Sequence, residues 1–199
     1  MGRIVSYNYT INNIDSNIYG TGQLEGVLIE LHDNSLNRID QFVKQIILEK
    51  TKEPHHKKDG NHEFKRFSTG TKGERALEIL LDRTFIDWTT GNSNVYNRSD
   101  LRSLGLNVGV KSVELGKAPL IFKRSYSPEI MTIVINNRYI LICGFASRAV
   151  LNNPDNQSMD AVLSPDLRKR GTKTAFVAFD KLHKFYSYRD LECLVRNNV

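Results

Sequence analysis

The sequence predicts a mixed α/β fold, a central β-sheet flanked by helices, and three observations carry that expectation. Apolar residues recur at helical spacing over Leu36, Ile39, Val43, Ile46 and Ile47, and again over Leu77, Leu80, Leu81 and Phe85. Between Leu106 and Gly144 the apolar residues instead fall in short runs bounded by turn residues, which is the pattern of strands. The chain has 199 residues and no internal repeat, enough for one well-packed core. It therefore reads as one domain: an N-terminal hairpin and helix over 1–50, a central core over 70–145 and a C-terminal extension over 146–199.

Ile4 to Ile11 alternates in the manner of a strand, and Gln23 to Leu31 gives a second β-rich run after Gly20-Thr-Gly22, so the two predict a hairpin. A helix follows, with Asn34 or Ser35 as N-cap, ending near Lys50. The polar stretch from Thr51 to Gly70, with Pro54 and Gly60, reads as a basic loop; its His55, His56 and His62 have no regular element to hold them at metal-binding angles. The second helix is expected over Lys72 to Asp87, capped by Thr69 or Thr71, with Glu74, Glu78 and Asp82 along one acidic edge. At about 100° per residue Glu74 falls at the margin of the buried face and Asp82 points furthest into solvent. Strands are expected at Leu106 to Val113, Leu120 to Lys123, Met131 to Ile135 and Tyr139 to Gly144, the last two joined by a turn at Asn136-Asn-Arg138. A short helix at Ser147 to Leu151, a strand at Thr174 to Phe179 and a closing helix at Tyr188 to Arg196 behind Ser187 complete the reading.

No stretch approaches the ~20 apolar residues that span a membrane, and the first residues lack a secretory apolar run. No membrane association is expected, and the expected location is intracellular, the cytoplasm of a bacterial or phage-infected host. Cys143 and Cys193 sit in apolar surroundings without zinc spacing and read as reduced core thiols. The net charge of +6 gathers at Lys50 to Arg75, Lys117 to Arg124 and Arg168 to Lys173, which favours a polyanionic partner. Lys123, Arg124, Arg168, Lys169, Arg170 and Lys173 are the candidate phosphate contacts. Tyr186, Tyr188 and Phe185 could stack on bases, although aromatic residues at such spacing more often belong to a core.

The chemically most informative stretch is Asn107-Val-Gly-Val-Lys-Ser-Val113. On a strand Asn107, Gly109 and Lys111 share a face, and a lysine within an apolar strand calls for carboxylates or a phosphate beside it. The alternative for Lys111 is an edge-strand charge that guards against aggregation. Asp100, a few residues upstream, can reach Lys111 in a sharply bent hairpin, and Gly109 leaves room for a metal, a water or a backbone.

Glu74 in Gly73-Glu-Arg-Ala, Asp100 in Asn97-Arg-Ser-Asp and Lys111 in Gly109-Val-Lys together resemble the PD-(D/E)XK nuclease superfamily, whose fold is restriction-endonuclease-like. The run from Asp100 to Pro119 looks like the small phage or mobile-element versions. The resemblance covers roughly residues 70 to 145 and departs at one point, since Gly109 stands where the pattern has Asp or Glu. Glu78 from the helix is the first substitute; Glu114 is the second, but strand parity turns it away from Lys111.

The resemblance implies a Mg²⁺-dependent DNA endonuclease, with Mn²⁺ as a substitute metal. Glu74, Asp100 and Lys111 would be its catalytic residues, with Asp100, Glu74 and Glu78 as metal ligands. A homodimer would cut both strands and a monomer would nick one. The rival implication is a binding or inhibitory protein on the same fold, with Gly109 as the mark of a lost carboxylate.

Overall fold

The computed structural model describes residues 2–51, 61–90, 99–122, 124–158 and 173–198. Strands β1 (Arg3–Asn12) and β2 (Gln23–Glu30) form the expected antiparallel hairpin, linked by the single turn of α1 (Ser16–Tyr19). Helix α2 (Asp33–Lys50) buries Leu36, Ile39, Val43 and Ile46, the stripe set by its apolar spacing. Helix α3 (Asn61–Leu81) is displaced from the expected Lys72 to Asp87 at both ends. It begins early because Phe64 and Phe67 carry the three- and four-residue spacing back into the polar stretch and pack on the core. Thr71 accordingly lies inside the helix, its hydroxyl donating to the Phe67 carbonyl at 3.0 Å. The helix stops where Asp82 turns to φ 49° and the Arg83 amide donates to the Glu78 carbonyl at 3.2 Å, closing a left-handed cap.

Strands β3 (Gly109–Glu114), β4 (Leu120–Phe122), β5 (Glu129–Val134) and β6 (Tyr139–Ala146) follow, then α4 (Arg148–Asn152), β7 (Gln157–Ser158), β8 (Lys173–Phe176) and α5 (Tyr188–Asn197). Ser147 and Ser187 cap α4 and α5 through their side chains. The main sheet has the order β1-β2-β6-β5-β3, antiparallel throughout except for the parallel pair β3 and β5. A smaller sheet has the order β4-β8-β7.

The pleat divides the main sheet into two cores. On one face Ile29, Ile130 and Ile142 pack against Ile39 of α2, Leu77 of α3 and Leu191 of α5. On the other, Met131, Ile133, Leu141 and Cys143 pack against Ile121 and Phe176 of the small sheet and against Phe179. The fold is thus mixed α/β, with helices flanking a mixed five-stranded sheet.

Two expectations change. Lys111 does not stand in a buried strand: β3 is the edge of the main sheet among the described residues, and all six of its residues keep some exposure. The valines that suggested burial work one at a time, Val110 against the helical face and Val113 against the other. Cys143 is buried as expected, but Cys193 is exposed, because it lies on the stripe of α5 opposite Leu191 and Val195. Among the described residues no helix is long and apolar enough to cross a membrane.

Candidate functional site at the start of β3

Asp100 opens a 3-10 turn, Asp100–Leu104, that ends at Gly105 with φ 79°. This reversal lets the Leu101 amide donate to the Val108 carbonyl at 3.1 Å and the Leu106 amide to the Leu101 carbonyl at 3.2 Å. The resulting hook returns Asp100 to the first residues of β3, where its Oδ2 accepts the Val110 amide at 2.6 Å. The residue as a whole is exposed, but that oxygen is turned inward.

The parallel register sets Gly109 beside Glu129 and Lys111 beside Met131. Paired residues project to the same side, so Gly109, Lys111 and Glu129 share one face. A Cβ placed on Gly109 would lie 3.6 Å from Asp100 Oδ2 and 3.7 Å from Glu129 Cγ. The missing side chain therefore leaves room for about one methyl group between the Asp100 carboxylate and the stem of Glu129. Glu129 Oε2 is buried and has no hydrogen-bond partner among the described residues. Such an atom is costly to bury unless a cation or water meets it.

Burial raises the affinity of both carboxylates for protons, and the Lys111 charge pulls each back down. Asp100 in turn raises Glu129, so the pair and the lysine form one coupled group.

Glu74 joins from the other side of the edge strand. Its neighbour Gly73 seats α3 on the sheet, where an added Cβ would overlap Ser112 Oγ. The Thr132 hydroxyl donates to Ser112 Oγ at 2.8 Å, and the Ser112 hydroxyl points to the Gly70 carbonyl at 3.5 Å. In this close fit, burial pushes the Glu74 carboxyl up to about 8, and the charges of Asp100 and Glu78 add to the effect. Glu74 reaches the group through Asp100, while Lys111 and Glu129 meet Asp100 from the opposite face. Among the described residues no three His, Cys, Asp or Glu side chains stand close enough to form a ready-made metal cluster.

Asp100 thus feels the charge of Lys111 and acts on both Glu74 and Glu129, a residue the sequence pattern did not single out. Its signal in the sequence was faint: an acidic residue at the mouth of an apolar strand reads as a solvated end. Glu78 has other work, since it pairs with Arg75 and its Oε1 accepts the Phe85 and Ile86 amides at 2.8 and 2.9 Å. Glu114 pairs with Lys65 at 2.9 Å and Lys117 at 2.8 Å, on the face that strand parity assigned to it.

Arg124 is exposed just beyond β4. Lys173 begins β8, while its side chain, together with Lys123, Arg168, Lys169 and Arg170, lies outside the described residues. His55 and His56 lie outside them too, and His62 is exposed on the first turn of α3. Tyr188 is partly buried against the main core and donates to the Leu104 carbonyl at 3.0 Å, whereas Tyr186 is exposed beside Tyr7.

Comparison with protein-family models, with curated proteins and with solved structures finds no match to this chain.

Proposed function

We propose that this chain is a Mg²⁺-dependent DNA endonuclease of restriction-endonuclease-like architecture, related to the PD-(D/E)XK superfamily. The observation that carries the reading is Glu129 beside Gly109: a neighbouring strand supplies the carboxylate that the strand bearing Lys111 lacks. The residues present suit a small divalent cation. Asp100 and Glu129 stand on either side of Gly109, Glu129 Oε2 has no hydrogen-bond partner among the described residues, and Mg²⁺ accepts one or two carboxylates with water in its other positions.

Bound there, Mg²⁺ would supply charge neutralisation at the scissile phosphate and a more acidic water. Asp100 and Glu129 would hold it, with Asp100 kept in place by its bond from the Val110 amide. Lys111 emerges beside both carboxylates and offsets the charge gathering on the phosphate oxygens, holding the attacking water by its ammonium. Glu74 keeps its proton at neutral pH, and the charge of a cation held at Asp100 would favour its ionised form.

The test is incubation of supercoiled plasmid with the protein and Mg²⁺, with and without chelator. Nicked or linear product is expected only with the metal, and it should disappear in Lys111→Ala and Glu129→Gln while the circular dichroism spectrum and melting are retained. Undiminished cleavage by Lys111→Ala would sink the assignment.

Gly109, standing where the pattern has Asp or Glu on the strand of Lys111, favours a second reading, a binding protein without catalysis. It predicts salt-sensitive DNA binding and uncut plasmid in both Mg²⁺ and Mn²⁺.

A further inference from the structure

A cavity of about 420 Å³ opens at the far end of the β3–β5 pair, between the first half of α3 and the turn after β5. Glu114 lies five residue steps beyond Gly109 along β3, which at ~3.3 Å per step puts the cavity about 16 Å from Gly109. Its polar lining comes from Ser68, Thr69, Lys65 and Lys72 on α3 and from Asn136 and Asn137 in the turn. Leu115 and Ile135 supply apolar wall.

The Lys72 ammonium is half-buried here, and its hydrogen bond, 2.6 Å to Asn137 Oδ1, goes to a neutral amide. Burial lowers its proton affinity, while the charges of Asp40 and Glu114 raise it. The one carboxylate in the lining, Glu114, is already held by Lys65 at 2.9 Å and Lys117 at 2.8 Å. Arg66 and Lys117 line the adjoining cleft, which continues the positive surface along α3.

A lysine placed in a cavity, bonded to an amide and surrounded by hydroxyls and further cations, is an arrangement for an anion with several acceptor oxygens. From this arrangement we infer that the cavity binds a phosphate group, with Lys72 and Lys65 as its cationic contacts and Ser68 and Thr69 as hydroxyl donors. Under the nuclease reading, on which this point rests for its substrate, that phosphate belongs to the nucleic-acid backbone a few nucleotides from the one held at Asp100 and Glu129. A free nucleotide offers the same chemistry.

The test has two arms, and both use Lys72→Gln, Lys65→Gln and Asn137→Asp. The last variant keeps the lysine but gives it a carboxylate partner of the same shape. In the first arm, binding of a short labelled duplex is followed by fluorescence anisotropy over a salt series, with Ca²⁺ in place of Mg²⁺. Each variant should bind more weakly and lose roughly one unit from the slope of log affinity against log salt. In the second arm, a nucleoside monophosphate is titrated calorimetrically into the wild type and the variants. Heat that depends on Lys72 and Asn137, with an unchanged duplex slope, would identify the free nucleotide as the source of the phosphate.

Unchanged binding in both arms, by variants whose melting matches the wild type, would overturn the site. Plasmid cleavage is scored separately, with the wild-type protein. A failed nuclease assay with an altered salt slope would therefore remove the catalytic reading and keep this one.

Discussion

At neutral pH the Glu74 carboxyl holds a proton that it would release in the unfolded chain, since its ordinary value of 4.5 rises to about 8 in the fold. The folded state therefore binds the extra proton between those values, and stability falls as pH climbs through that window and levels off above it. Asp100 and Glu129 are raised by burial and push in the same direction. Glu74→Gln removes the largest contribution, so in metal-free buffer its melting temperature should exceed that of the wild type clearly at pH 9 and little at pH 5. A difference independent of pH would show that Glu74 ionises normally. Asp82 offers an independent case: it is exposed, with φ 49°, at the end of α3 where the helix dipole is negative. Asp82→Gly should stabilise by about 1 kcal/mol, read as a higher midpoint in urea with an unchanged slope. Asp100 and Lys111 could be found in the sequence because a short hook and the parity of one strand relate them. Glu129 could not, because its place beside Gly109 depends on a parallel register between strands that no local pattern encodes. Spacing likewise could not show that Arg75 and the turn amides had already claimed Glu78.

Helix α3 shows how one element reaches both the cavity and the carboxylates beside β3. Its Lys65 and Lys72 line the cavity, and one turn of close contact at Gly73 fixes where Glu74 stands. A methyl on Gly73 would collide with Ser112 Oγ and crowd Thr132 Oγ1, and both hydroxyls belong to the sheet. Gly73→Ala should therefore cost about 1–3 kcal/mol and, under the nuclease reading, lower cleavage by more than the lost stability explains, because Glu74 moves away from Asp100. Adding Ser112→Ala removes the nearest obstructing atom and should recover part of both losses, a non-additivity expected of side chains in contact. Equal, additive losses would mean that α3 does not rest on that hydroxyl. The core stripe of α3 was legible in its apolar spacing, and its ends were not. The start depends on Phe64 and Phe67 finding the core from within a polar stretch, and the end on a left-handed Asp82 where glycine is the usual signal.

At the scale of the molecule, the order of the strands decides which parts open together. β6 is the middle strand of the main sheet, bonded to β2 on one side and β5 on the other, and its side chains reach both cores. Cys143 sits on this strand at 1% exposure, and burial raises its thiol to about 12, so it has almost no thiolate at neutral pH. Cys193 is exposed on α5, outside the sheet. The mixed α/β class was evident from the order of the elements, but the assignment of β6 to the centre was not, since adjacency in sequence does not fix adjacency in a sheet. That assignment can be tested by thiol labelling under native conditions. A disulfide reagent should react with one thiol quickly and with the second only as the sheet opens. Because the middle strand loses its neighbours only when both cores separate, the opening free energy from the slow thiol should equal that of global unfolding in urea. Glu74→Gln at pH 9 should slow that second reaction by the same factor by which it lowers the unfolding equilibrium constant. A slow phase markedly faster than global unfolding would mean that β6 can be reached by a partial opening, and that the five strands do not form one cooperative unit.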